Sequence, residues 1–208
     1  MAADLTLYTN PMSRGQIARW MLEETGAPYD VEILDYGGSM QAPEYLAINP
    51  MGKVPAIRHG DRVVTECPAI CAYLADAFPE NGLAPPPADR ADYYRWLFFA
   101  AGPVEQAVTA RALGYDVPAD KEAMAGFGSF DRMVDTLAGW LDGRDYVAGS
   151  AFTAADVYVG AQVIWGLGFG SLPDRPSFRA YADRLTQREA YRRAKAEDDR
   201  LIAAMQSG

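Results

Sequence analysis

"GKVPAIRHGDRVVTECPAI", Gly52 to Ile70, decides the fold. Two apolar, β-branched runs, "VPAIR" and "RVVTE", flank the tight turn "RHGDR", which folds them into an antiparallel hairpin. Pro55 lacks an amide hydrogen, so it is confined to a sheet edge or to a bend whose neighbour does not need that donor. It also holds Val54 extended. A cis Val54–Pro55 bond would turn the Val54 backbone out of the ladder and free its N–H and C=O for an extended ligand. Pro68 is of another kind: it suits the first position of a helix, which places Cys67 at the cap. The free amides of a helix start attract a carboxylate, and Glu66 beside them offers a partner for an ammonium group. Together they would hold an amino-acid-like head group.

Working outward, "LTLYT", "GQIARWMLEETG", "YDVEIL", "APEYLAI", the hairpin and "CPAICAYLADAF" give the order β-α-β, α, β-β-α. A helix joining two strands favours a parallel pair, so a small mixed sheet with helices packed on it is expected, with Gly26 stopping the first helix. "PENGLAPPPADR" then reads as a linker. Beyond it, "YYRWLFFAAGPVEQAVTARAL", "FDRMVDTLAGWL", "AADVYVGAQVIWGL", "FRAYADRL" and "AYRRAKAEDDRLIAAM" repeat their apolar residues at helical spacing. The expected domains are residues 1–79, α/β; 80–90, linker; and 91–208, all-helical. In "TAAD", Thr153 and Asp156 make a capping box.

Composition narrows the chemistry. The 208 residues are 50% hydrophobic, enough for a sizeable core, and carry a net charge of −9, which disfavours nucleic acid. No export signal and no membrane-length apolar run is seen, so a cytoplasmic protein without a membrane partner is expected. Cys67 and Cys71 are the only cysteines and His59 the only histidine, which argues for reduced thiols and no metal site.

"NPMGKVPAI" followed by "TECPAICAYLAD", together with the linker and the Thr153–Asp156 box, resembles the glutathione transferase family over essentially the whole chain. The resemblance is to cytosolic, bacterial-type members with a serine-like active loop. It implies a thioredoxin-like first domain, an all-helical second domain, glutathione as co-substrate and a homodimer. It also implies that Val54, before a cis Pro55, pairs through its backbone with the cysteinyl part of glutathione. Glu66 and position 67 would grip the γ-glutamyl end, and Lys53 could meet the glycyl carboxylate. Cys67, a weaker donor than a hydroxyl, stands where the family usually has Ser.

A thiol with pKa of about 8.5 must be held as thiolate by nearby donors. The loop "LYTNPMSRG" offers Ser13, Asn10, Thr9 and Tyr8. Ser13 is favoured because it stands just before the first helix, where its hydroxyl and the terminal amides converge; Tyr8 falls in the strand alternation. The loop has no cysteine, which argues against members that form a mixed disulfide there. Cys67 and Cys71, one helical turn apart, read first as core filling, and glutathionylation of Cys67 is a secondary expectation. A small apolar electrophile would contact Phe99, Pro103, Gln106, Trp165 and Phe169, and Arg111 reads as a solvated charge. The leading expectation is transfer of the glutathione thiol to such an acceptor, a detoxification chemistry. Its alternatives are a glutathione-dependent peroxidase or disulfide reductase on the same site, and a non-catalytic adaptor of the same fold.

Overall fold

The computed structural model describes residues 4–207, so residues 1–3 and 208 of the expected domains lie outside the described residues. Four strands, β1 (Leu5–Thr9), β2 (Asp30–Ile33), β3 (Ala56–His59) and β4 (Arg62–Thr65), form one sheet in the order β2-β1-β3-β4. β1 and β2 run parallel, while β3 is antiparallel to β1 and β4. The hairpin closes with His59 opposite Arg62, as its turn requires.

Alternation along β1 gives the sheet its two faces. Leu5 and Leu7 are buried, as are Ile17, Met21 and Leu22 of α1 (Gly15–Thr25) and Ile70 and Leu74 of α3 (Cys67–Ala77). Each such buried side chain contributes about 1.5–3 kcal/mol. Tyr8, on the alternate side of the strand, packs with Leu34, Met40, Ala56 and Tyr45, the last from the short helix α2 (Pro43–Leu46).

The helices that follow are α4 (Ala91–Phe99), α5 (Glu105–Ala112), α6 (Phe130–Leu141), α7 (Ala154–Phe169), α8 (Pro176–Thr186) and α9 (Glu189–Ser207). The chain is thus an α/β thioredoxin-like domain followed by helices. Between α4 and α5, Ala100–Val104 is a π turn. Pro103 cannot donate to the carbonyl of Phe99, and the register slips so that the Glu105 N–H reaches Ala100 O. In α7 the Thr153–Asp156 capping box is present.

The compact units are residues up to Leu83 together with those from Gln187 on, and Ala84–Thr186. The last helix packs in the first of these because α9 answers the charges and aromatics of α1. Arg19 meets Asp198 at 2.9 Å, Glu24 meets Arg188 at 2.7 Å, Glu23 meets Arg193 at 3.0 Å, and Trp20 lies edge-on to Tyr191.

Candidate active site

The loop between β1 and α1 is tied to itself and to the segment that follows β2. Asn10 is buried, its Nδ2 donating to Leu34 O at 2.7 Å and its Oδ1 accepting from the Met12 N–H at 2.9 Å. Thr9 is fully buried, and a Cβ on Gly15 would fall 1.8 Å from its Oγ1, so only glycine lets helix α1 approach β1 this closely. Tyr8 is a core side chain, 5.7 Å from the ring of Tyr45, with its phenol pushed up by burial. Of the four loop candidates only Ser13 is part-exposed. Its Oγ donates to Asn10 O at 2.6 Å and accepts from the Gly15 N–H at 2.9 Å. The helix cap itself is Arg14, one residue later than Ser13's expected place.

At α3 the cap is likewise displaced: Glu66, not Cys67, is the half-in residue, and Cys67 and Pro68 are the first two helical positions. Glu66 takes φ 64°, ψ 113°, a left-sided conformation unusual for a residue with a side chain, and its side chain is exposed. Strained residues of this kind cluster at ligand clamps. Because Pro68 has no N–H, the first-turn donors are the amides of Cys67 and Ala69. Cys67 Sγ lies 3.6 Å from Arg14 O, which brings the starts of α1 and α3 together. Cys67 and Cys71 are both buried free thiols, consistent with core filling.

The third segment is the turn before β3. The Val54–Pro55 peptide is cis, Pro55 is buried, Val54 half-buried and the Lys53 side chain exposed. Sequence reasoning missed what holds this turn: Tyr45 Oη and Asn49 Nδ2 both donate to Lys53 O, at 2.5 and 2.8 Å. Only the "N" of "NPMGKVP" could have signalled it, as a turn-forming asparagine.

In the helical unit, Phe99 and Pro103 line one cavity of about 320 Å³, with Phe127, Met133, Arg132 and Glu122 on its other walls. Gln106 Oε1 lies beside Gly126 of the same wall. Trp165 and Phe169 do not line it, and Phe169 is exposed. Arg111 stacks its guanidinium over Phe130 at 4.2 Å. Among the described residues no cluster of His, Cys, Asp or Glu could hold a metal, and no helix is long and apolar enough to cross a membrane.

The first unit thus carries a four-stranded mixed sheet, a cis proline before β3 and two helix starts in contact, and it is followed by helices. Residues 12–77 match the family model "Glutathione S-transferase, N-terminal domain", and residues 96–189 match "Glutathione S-transferase, C-terminal domain". Among relatives, glutathione S-transferase A of Pleuronectes platessa is 29% identical, over 90% of this chain and 89% of its own. A sphingomonad glutathione S-transferase solved in complex with glutathione is 30% identical, with TM-score 0.75 over 93% of this chain and 98% of that one. The transferase URE2P6 of Phanerochaete chrysosporium, solved with oxidized glutathione, is 25% identical, with TM-score 0.77 over 95% and 97%. The chain belongs to the glutathione S-transferase family and is an enzyme of that family, a glutathione transferase.

Proposed function

We propose that the first unit binds glutathione and holds its sulfur as thiolate for attack on a small hydrophobic electrophile. The observation that carries this reading is the meeting of the two helix starts: the part-exposed Ser13 precedes α1, and Cys67 at the head of α3 touches Arg14 O. The amides of Cys67 and Ala69 offer a site for the γ-glutamyl carboxylate, and the strained Glu66 extends its own carboxylate toward the ammonium. Val54 pairs through its backbone with the cysteinyl segment, and Lys53 answers the glycyl carboxylate. The replacement of the usual Ser by Cys67 weakens one side-chain contact, while the backbone amide is unaffected.

Ser13 is the residue proposed to stabilise the thiolate. Asn10 and Thr9 are buried, and Asn10's carboxamide is spent on Leu34 O and the Met12 N–H, which argues for a supporting role. Ser13 Oγ–H turns from Asn10 O to the incoming sulfur, exchanging a neutral acceptor for a charged one, while the Gly15 amide keeps the oxygen in place. Catalysis then rests on a fixed donor and on orientation. Phe99, Pro103 and Gln106, and with them Trp165 and Phe169, are proposed to contact the acceptor. We further propose a cytoplasmic homodimer, to which the exposed Tyr94 and Phe98 of α4 would contribute.

Titration calorimetry with glutathione, and turnover of a chlorinated aromatic against cumene hydroperoxide and a mixed disulfide, test the reading and separate its alternatives. Ser13→Ala is expected to lower kcat/KM by about tenfold to a hundredfold, the worth of a hydrogen bond to a charged acceptor. It should also raise the pKa of bound glutathione, read from the thiolate absorbance. An unchanged rate and pKa would transfer the role to another loop group.

A further inference from the structure

We propose that Tyr45 and Asn49 are positioning residues for glutathione: by clamping the carbonyl of Lys53 they aim the amide N–H of Val54 at the tripeptide. The inference rests on the reading above that Val54 pairs with glutathione. Its geometry starts from one peptide group. The Lys53–Val54 bond is trans, so its C=O and N–H point in opposite directions. Two donors converge on that C=O, the phenol of Tyr45 at 2.5 Å and the amide of Asn49 at 2.8 Å. With the oxygen pinned toward α2, the N–H must face the other way. Among the described residues the N–H of Val54 has no hydrogen-bond partner, although the residue is half-buried and its side chain packs against the Tyr8–Tyr45 cluster. A donor held at a fixed angle with nothing to bond is what an extended ligand requires.

The clamp is itself rigid. Asn49 is buried and accepts from the Met51 N–H at 3.1 Å, so its carboxamide is held at both ends and the turn wraps around it. Gly52 closes the wrap at φ 58°, where a Cβ would come within 2.5 Å of Gln41 Nε2. Burial raises the Tyr45 phenol to about 12, so it remains a donor across the working pH range. Neither side chain need touch the ligand; both act through the peptide they hold.

The test compares Tyr45→Phe and Asn49→Ala with the wild type by glutathione calorimetry, thermal melting and steady-state kinetics with a chlorinated aromatic. Tyr45→Phe keeps the packed ring and deletes only the donor. In each variant Kd and KM for glutathione are expected to rise about fivefold to tenfold, the worth of one hydrogen bond. The kcat at saturating glutathione should stay unchanged, and the Tyr45→Phe melting temperature should stay within a few degrees of wild type. Wild-type Kd and KM in Tyr45→Phe would overturn the positioning role, as would a fall in kcat with KM unchanged, which is the mark of partial unfolding. Failure of the wild type itself to bind glutathione would instead overturn the reading on which the inference rests.

Discussion

Arg19→Met is expected to destabilise the chain by about 3–5 kcal/mol at pH 7.5, because it leaves a carboxylate alone in the interface of α1 and α9. The two charges are 2% and 1% exposed and share a single bond, Nε to Oδ1 at 2.9 Å, while Arg19 Nη2 and Asp198 Oδ2 are buried without partners. Burial therefore outweighs the pull of Arg19 and pushes the Asp198 carboxyl up to about 6 from its ordinary 3.8, even as Asp198 helps keep the guanidinium charged. The sign follows from linkage. Between those two values the folded chain holds a proton that the unfolded chain has lost, so this group's contribution is full below about 3.8 and disappears as pH rises through 6. Removing Arg19 pushes the carboxyl higher still. The deficit of Arg19→Met against wild type should thus be small at pH 5, where Asp198 is already protonated, and large at pH 7.5. Thermal melts at the two pH values measure it, and an equal deficit at both would assign the loss to packing. The double variant Arg19→Met/Asp198→Leu removes both charges and is expected to recover wild-type stability or exceed it.

Asp156→Asn is expected to cost a similar amount, about 3–5 kcal/mol, and to lower the melting temperature by about 10 °C. Four donors converge on this buried carboxyl. The Val147 N–H and the Tyr181 phenol reach Oδ1 at 2.7 and 2.8 Å, and the Thr153 N–H and Oγ1 reach Oδ2 at 2.9 and 3.1 Å. Burial pushes the group up and the donors pull it back, but only the carboxylate accepts all four. An amide of the same shape turns one oxygen into a donor facing two donors. The start of α7, the segment at Val147 and α8 lose their common tie together. Glutathione affinity read by calorimetry below the melting temperature should be little changed, since this knot lies within the helical unit. A variant that melts like the wild type would show that the network contributes far less than its bond count.

Much of this was legible because it is local. The strand "LTLYT", the two-residue turn after His59 and the Thr153–Asp156 spacing are each settled by neighbours within a few residues, and each element formed where expected. The resemblance carried by "NPMGKVPAI" and "TECPAICAYLAD" likewise reached the family, because backbone geometry at a proline or a helix start is written in short stretches. The helix caps slipped by one residue, Ser13 to Arg14 and Cys67 to Glu66, since a cap is defined by dihedral angles that propensity only biases.

Tertiary structure alone decided the rest. Helical periodicity in "AYRRAKAEDDRLIAAM" announced α9, but not that it would lie against α1, because the charges it answers stand some 170 positions away, as in Glu23 and Arg193. Equivalent-looking hydroxyls and amides at Thr9, Asn10 and Ser13 were separated only by which of them the fold buried. The clamp on Lys53 O joins a helix, a turn and a strand entry whose convergence no window of sequence contains. Local bonding follows from spacing along the chain, whereas burial and long-range pairing depend on which surfaces meet once it has folded.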